Sequence, residues 1–165
     1  MENKYPQRKK LRLNDFDYSQ SGAYFVTICT KNKEKLFSLV GEDSLSSRLV
    51  ERTFLETIQR YDGVESPIYV VMPNHFHAII NIYNNEREDK ISSPTISDII
   101  RAFKRYSTGE YIKLVKNGKL PPFDKQIWQR SFYDHVIRNQ KDYDEIYKYI
   151  QDNPVKWEMD KLYVD

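Results

Sequence analysis

The chain has 165 residues, enough for one domain with a buried core, and its net charge of +2 neither requires nor excludes a nucleic acid partner. Its single cysteine, Cys29, excludes an internal disulfide and a thiolate metal cluster, and no segment approaches the length of a membrane span. The first residues are polar and basic rather than signal-like. We therefore expect one domain over residues 1–165, in the reducing cytoplasm and without a membrane partner.

The first half of the chain predicts a strand, a helix and a hairpin. Residues 23–30 are apolar on both alternating faces and rich in β-branched and aromatic types, which predicts a central strand. Apolar residues recurring over 45–61 predict a helix of about four turns, which ends at Asp62-Gly63. Residues 68–72 and 75–83 predict two antiparallel strands joined by a tight turn at Pro73-Asn74.

The second half begins with a helix that has one apolar and one basic face. The Ser-Ser-Pro-Thr sequence at 92–95 is typical of a helix start. The basic face carries Arg101, Lys104 and Arg105 at helical spacing, which is typical of a phosphate-binding surface but also of a merely solvated one. Residues 126–133 predict a fourth strand that begins just before Trp128.

A last helix follows. Asn139 with Asp142 three residues later resembles a capping box, and the helix runs to about residue 152, since the residue before Pro154 disfavours helix. The order of elements predicts an α+β fold: an antiparallel central sheet of about four to five strands, ferredoxin- or RRM-like, with helices packed on it.

Two of the three histidines, His75 and His77, begin the second strand of the hairpin with Phe76 between them. Because side chains alternate along a strand, both imidazoles point to one face and Phe76 points to the other. Two imidazoles on one rigid face form half of a metal site. A His-x-His pair also occurs without any metal, so the pattern alone leaves both interpretations open.

The last helix presents a tyrosine away from its apolar stripe. At about 100° per residue, Tyr149 lies roughly 110° from the centre of that stripe, so core packing does not explain it. Asn153, four residues on, shares this side of the helix and places an amide oxygen beside the hydroxyl. The alternative is a surface tyrosine followed by an asparagine at the helix end. The stripe consists of Tyr143, Ile146, Tyr147 and Ile150.

Taken together and in this order, several motifs resemble the single-tyrosine HUH transposases, the small single-strand transposases of insertion sequences and their REP-associated relatives. That family has a histidine-hydrophobe-histidine motif on a strand and a catalytic tyrosine on a late helix, with a third metal ligand four residues later. Asparagine at that position resembles the REP-associated branch. The motifs are residues 18–30, Met72-Pro73-Asn74-His75-Phe76-His77, Trp128-Gln129-Arg130, residues 135–139 and residues 149–154.

The resemblance implies that Tyr149 is the nucleophile and that His75, His77 and Asn153 hold a divalent ion. It further implies cleavage and joining of single-stranded DNA by transesterification through a 5′-phosphotyrosine. Two imidazoles with amide and water oxygens suit Mg²⁺ or Mn²⁺. A phenol with a pKa near 10 needs such help to attack a phosphodiester at neutral pH. Tyr133, close to His135, is the rival nucleophile.

The expected partner is single-stranded or hairpin DNA, bound by phosphate contacts and by stacking of unpaired bases on exposed tyrosines. An alternative function is a domesticated hairpin-DNA-binding protein with little or no turnover, and a hydrolytic nuclease is a third. Family relatives suggest either a monomer or a homodimer that exchanges the tyrosine helix. The candidate DNA-binding residues are Arg8, Lys9, Lys10, Arg12, Arg101, Lys104, Arg105, Arg130, His135 and Arg138.

Overall fold

The computed structural model describes residues 21–37, 44–83 and 94–164. The four strands in these ranges form one antiparallel sheet with the order β2-β3-β1-β4. The strands are β1 (Gly22–Cys29), β2 (Val64–Met72), β3 (His75–Ile82) and β4 (Tyr133–Ile137). The helices are α1 (Leu45–Ile58), α2 (Ile96–Lys116) and α3 (Gln140–Asp152). The predicted α+β fold with helices on an antiparallel sheet is confirmed.

Polar caps start all three helices. At each N-terminus the side chain of the capping residue accepts a hydrogen bond from a backbone amide three residues later, a contact that contributes about 1 kcal/mol. In α2 the cap is a full capping box between Thr95 and Asp98. The other two caps are Ser44 and Asn139. The starts of α1, α2 and α3 are therefore encoded locally, as the sequence predicts.

One face of the sheet, called here the core face, carries alternate residues of the two central strands. They include Tyr24 and Val26 of β1 and Phe76 of β3, all of which are fully buried. Helices α1 and α2 cover this face and add Phe54 and Phe103, whose rings pack together with that of Phe76. Burying each such side chain contributes about 1.5–3 kcal/mol, so this cluster dominates the core.

The opposite face, called here the site face, carries Phe25, Thr27, His75 and His77, since these alternate with the core residues. It is covered by α3 and by residues 154–164, which turn back over the sheet after the helix. Fewer apolar side chains are buried on this face. Those that the covering segments bury are Ile150 and Trp157.

The sequence prediction of the fourth strand was wrong in its position. The strand is β4, which pairs with β1, whereas within residues 126–133 Trp128 forms only an isolated bridge with Thr30. The indole of Trp128 instead donates to Ser107 Oγ of α2 at 2.9 Å and packs in the core. A buried tryptophan was mistaken for a strand residue, while polar Asp134 and His135 hid the real strand.

Candidate active site

The tight turn of the hairpin brings the two histidines directly into the middle of the site face. Met72 pairs with His75, so Pro73 and Asn74 alone make the connection. The imidazoles of His75 and His77 project from the same side of β3, with ring centroids 4.5 Å apart. Both side chains are buried, at 0% and 2% exposure.

Each imidazole is fixed through its Nδ1 atom. His75 Nδ1 lies 2.8 Å from Asn74 Oδ1, whose amide nitrogen in turn donates to the carbonyl of Leu162 at 2.8 Å. Because an amide oxygen can only accept, His75 Nδ1 carries the proton and Nε2 keeps its lone pair. His77 Nδ1 lies 2.8 Å from Thr27 Oγ1 on the neighbouring strand. Both Nε2 atoms are thereby left available for other contacts.

Burial keeps both imidazoles neutral at physiological pH. Desolvation lowers the pKa of His75 to about 4 and that of His77 to about 3, and the adjacent His75 adds to the effect on His77. The carboxylate of Asp160 opposes the shift at both rings without cancelling it. Neutral imidazole is the form that binds a metal ion.

Helix α3 delivers the predicted nucleophile and the predicted amide ligand to these histidines. The Tyr149 hydroxyl lies 3.3 Å from His77 Nε2, and its ring packs edge-on against Phe25. Tyr149 is 44% exposed, whereas Asn153, at the end of the helix, is only 3% exposed. The structure therefore brings together Tyr149, His75, His77 and Asn153, which are distant in sequence.

Asp160 is a member of this cluster that the sequence analysis missed. Its Oδ2 accepts hydrogen bonds from the Tyr149 hydroxyl at 3.1 Å and from Asn153 Nδ2 at 2.8 Å. Its Oδ1 accepts from the amide of Leu162 at 2.6 Å. No motif in the sequence marks Asp160, which lies after α3 in the segment of residues 154–164.

The environment of Tyr149 favours the protonated phenol. Burial is the first cause, and together with the charge and hydrogen bond of Asp160 it raises the pKa of Tyr149 to about 12. The Asn153 amide acts in the opposite direction but more weakly. The hydroxyl is therefore neutral at pH 7, and a positive charge close to its oxygen is needed to make it a good nucleophile.

The donor atoms of the cluster fit a divalent cation. Within the residues that the structure describes, the buried atoms His75 Nε2 and Asn153 Oδ1 have no hydrogen-bond partner. Leaving such atoms unpaired normally costs about 1–3 kcal/mol each. Ligand atoms of His75, His77 and Asp160 all lie within 4.8 Å of one another. Imidazole nitrogens with amide and carboxylate oxygens can hold Mg²⁺ or Mn²⁺.

A family profile described as "Transposase IS200 like" matches residues 18–153. The chain belongs to this transposase family. The match covers every strand and α1 to α3, and it ends at Asn153. It confirms the predicted resemblance to the single-tyrosine transposases.

Individual relatives of this transposase point to one branch. A REP-associated tyrosine transposase of Escherichia coli K12 is 29% identical, over 84% of this chain and 70% of the relative. An uncharacterized protein of Haemophilus influenzae is 36% identical, over 96% of this chain and 94% of its own length. A solved structure of a REP-associated tyrosine transposase bound to a REP hairpin superposes with a TM-score of 0.62 at 24% identity, covering 91% and 76% of the two chains. The predicted resemblance to this branch is confirmed.

In this family member a cleft of about 490 Å³ opens beside Tyr149. It runs along the site face of β1 to the start of β4, where Phe132 and Tyr133 line it. Tyr133 is 50% exposed and lies opposite Thr27, which itself lies opposite His77. Two strand spacings, about 10 Å, therefore separate the backbones of Tyr133 and His77. The rival nucleophile lines the same cleft as Tyr149, but its backbone lies two strands away from that of His77.

The predicted DNA-binding residues that the structure describes lie on α2 and around β4. Arg101 is exposed and pairs with Asp98 at 3.2 Å, and Arg105 is exposed on the same helix. His135 pairs with Asp142 at 2.8 Å, whereas Arg130 and Arg138 are exposed at the two ends of the β4 region. The predicted basic residues Arg8, Lys9, Lys10 and Arg12 lie outside the described residues.

Lys104 has a structural partner. Its ammonium group donates to the carbonyls of Gln129, Arg130 and Ser131 at 2.7, 3.3 and 3.0 Å. Burial lowers its pKa to about 8, which leaves it largely charged at pH 7. Lys104 thus ties α2 to the segment that lines the cleft.

Among the described helices, none is long and apolar enough to cross a membrane.

Proposed function

We propose that this transposase cleaves and rejoins single-stranded DNA next to a hairpin, with Tyr149 as the nucleophile. The observation that carries the proposal is the contact between the Tyr149 hydroxyl and His77 Nε2, at 3.3 Å, inside a cluster of metal-competent atoms. The hairpin is inferred from the relatives, one of which was solved bound to a REP hairpin. Such a substrate implies the cytoplasm as the place of action.

His75, His77 and Asn153 would hold a divalent ion, Mg²⁺ or Mn²⁺. When bound, this ion supplies positive charge that polarises the scissile phosphate and favours the ionised phenol. The residues themselves orient the site: Asn74 and Thr27 hold the two imidazoles, and α3 holds Tyr149 and Asn153 in register. Such fixed geometry supports catalysis because the reacting groups need no further ordering.

In the proposed reaction the Tyr149 oxygen attacks phosphorus as the bond from phosphorus to the 3′-oxygen breaks. The phenol loses its proton, which in the structure points to Asp160 Oδ2, and the 3′-oxygen gains one. The product is a 5′-phosphotyrosine and a free 3′-hydroxyl. Because the new ester keeps the phosphodiester energy, a second 3′-hydroxyl can reverse the step and join strands.

The decisive experiment compares Tyr149→Phe with Tyr133→Phe. Each full-length variant is incubated with Mn²⁺ and a labelled hairpin that has a single-stranded flank, and covalent adducts are separated on a denaturing gel. We expect Tyr149→Phe to abolish the adduct and Tyr133→Phe to retain it. The reverse pattern would move the nucleophile to Tyr133. Tight binding without an adduct in the unaltered protein would favour the domesticated binding protein.

A complementation experiment tests the proposed subunit organisation. The contact between Tyr149 and His77 within one chain supports a site that a single protomer completes. Mixing Tyr149→Phe with a His75→Ala/His77→Ala variant should then restore no adduct. Restored adduct formation would show that α3 is exchanged between two subunits, as in a homodimer.

A further inference from the structure

We propose that the Asp160 carboxylate is a ligand of the divalent ion, so that the segment after α3 completes the metal site. The inference deepens the proposed function and rests on it. Asp160 lies seven residues beyond the end of the region that matches the family, so the family motif does not assign it a role.

The position of Asp160 supports the assignment. One of its oxygens and one nitrogen from each of His75 and His77 lie within 4.8 Å of one another, a separation that a single ion can bridge with small adjustments. Asp160 Oδ2 also lies 2.8 Å from the amide nitrogen of Asn153. The carboxylate therefore borders both histidines and the predicted amide ligand at once.

The segment that carries Asp160 is anchored on the histidines. Trp157 is buried and packs its ring against that of His75, with centroids 5.7 Å apart, and Tyr163 packs on Trp157 at 5.1 Å. Beyond Asp160, the carbonyl of Leu162 accepts from the Asn74 amide, while the amide of Leu162 donates to Asp160 Oδ1. Contacts on both sides of Asp160 thus hold its carboxylate over the site.

The charge of the cluster also supports Asp160 as a ligand of the divalent ion. The imidazoles of His75 and His77 and the amide of Asn153 contribute no negative charge, so Asp160 is the anionic member of the donor set. A buried cation is stabilised by an adjacent carboxylate, and hard oxygen ligands are those that Mg²⁺ and Mn²⁺ prefer. Without Asp160 a divalent ion would bring two uncompensated charges into a largely buried site.

A purely positioning role is the competing explanation, since Asp160 also accepts hydrogen bonds from Tyr149 and Asn153. The two explanations differ in their effect on metal affinity without DNA. The full chain is titrated with Mn²⁺. Binding is measured by calorimetry and from the electron paramagnetic resonance signal of free Mn²⁺. The variant is Asp160→Asn, and the matched control is Glu158→Gln, an exposed residue on the same segment with the same change of charge.

We expect Asp160→Asn to weaken Mn²⁺ binding by about tenfold or more, Asp160→Glu to recover part of it, and Glu158→Gln to stay within about twofold of the unaltered protein. Binding by Asp160→Asn within twofold of the unaltered protein would overturn the proposal. That result is distinguishable from failure of the proposed function, in which the unaltered protein binds Mn²⁺ but forms no DNA adduct.

A second measurement keeps the inference testable if Asp160→Asn does not fold. In the unaltered protein labelled with ¹³C-aspartate, adding Mg²⁺ should shift one carboxylate stretching band in the infrared spectrum. A matched Asp152→Asn variant, altered at a partly exposed carboxylate paired with Lys148 and Lys156, should show the same shift. An unchanged carboxylate spectrum at saturating Mg²⁺ would also overturn the proposal.

Discussion

The two faces of the sheet are built from alternate residues of the same strands, yet they serve different ends. On the core face, α1 and α2 bury seven and six side chains. The hydroxyls of Thr53, Thr57 and Ser107 bond to carbonyls of their own helix. The buried Tyr111 hydroxyl has no hydrogen-bond partner among the described residues. On the site face, α3 buries only Ile150. Partly buried Tyr143 and Ile146 of α3 also pack there. The same interface contains buried polar atoms without partners, namely His75 Nε2 and Asn153 Oδ1.

One face therefore provides stability, and the other provides an arrangement of ligands. Apolar burial stabilises the fold in proportion to area, whereas buried polar atoms without partners destabilise it. The site face tolerates that cost because the core face holds the sheet rigid. Single substitutions at neighbouring residues of β3 should therefore have different effects, one mainly on stability and the other mainly on function.

Phe76 and His77 offer the sharpest test of this separation. Phe76→Ala should lower the free energy of unfolding by about 3–5 kcal/mol, because it removes the ring that packs between Phe54 and Phe103. His77→Ala should cost only about 1–2 kcal/mol, chiefly the lost hydrogen bond, because His77 lines the cleft and water can enter. Urea unfolding gives both values.

Function should follow the opposite order in these two variants. His77→Ala should abolish covalent adduct formation while remaining folded, and Phe76→Ala, at a temperature where it remains folded, should keep it. Equal losses of stability in the two variants would show that both faces contribute alike to the fold, and that stability is not concentrated on the core face.

The titration of the two histidines should make the site face sensitive to acid. Both rings are neutral in the folded protein, with pKa values of about 4 and 3, but protonate near 6.5 when unfolded. The unfolded state therefore binds more protons below pH 6.5, so stability falls with pH until the folded pKa values are reached. By pH 5 each histidine should cost about 2 kcal/mol, at 1.36 kcal/mol per pH unit.

Unfolding of the EDTA-treated protein between pH 7 and 5 measures this effect. Asp160 does not obscure it, because the lowered pKa of Asp160 changes stability only below its ordinary value of 3.8. A His75→Gln/His77→Gln variant should lose most of the pH dependence. If that variant kept the full slope, the acid sensitivity would arise elsewhere in the protein.

The elements that a sequence can predict here are those with local signals. The caps at Thr95 and Asn139 begin their helices, and strand alternation places His75 and His77 on one face. The i, i+4 spacing likewise puts Tyr149 and Asn153 on one side of α3. These features depend on the periodicity of a single element, which is visible in the residues.

Features that depend on contacts between distant segments could not be predicted in this way. Asp160 becomes part of the site only because Trp157 and Leu162 dock on the hairpin that carries His75 and Asn74. The fourth strand was predicted too early because the burial of Trp128 comes from its packing on α2 rather than from strand pairing. Neither contact has a signature in the local sequence.

Lys104 connects the two faces, so it tests whether they are independent. Lys104→Met keeps the length of the side chain but leaves three carbonyls of residues 129–131 without their donor. We expect a loss of about 1.5–3 kcal/mol in the free energy of unfolding, the range for charged hydrogen bonds. Arg105→Met, an exposed change of the same charge on the same helix, should stay within about 0.5 kcal/mol.

Loss of the Lys104 ammonium group should also affect adduct formation at the cleft. If residues 129–131 loosen without Lys104, adduct formation should fall in Lys104→Met even at temperatures where the protein is fully folded. Unchanged stability combined with weaker DNA binding would instead mean that Lys104 contacts phosphate, as the sequence alone suggests.

The smallest expected effect concerns the surface of the protein to which DNA phosphates bind. Replacing Arg130 and Arg138 by Gln should lower the slope of log affinity against log salt by about 1.5, since each phosphate contact with single-stranded DNA contributes about 0.7. Replacing Arg101 and Arg105, on the helix that covers the core face, should change it less, because Arg101 already pairs with Asp98.

Fluorescence anisotropy over a salt series distinguishes the two pairs of arginines. A larger change for the α2 pair would mean that DNA wraps around the outside of the core-face helix as well as crossing the cleft. In that case the exposed side of α2 would also bind DNA. The two faces of the sheet would then differ in function only at the buried sides of their helices. A larger change for Arg130 and Arg138 would place DNA recognition at the β4 edge of the sheet.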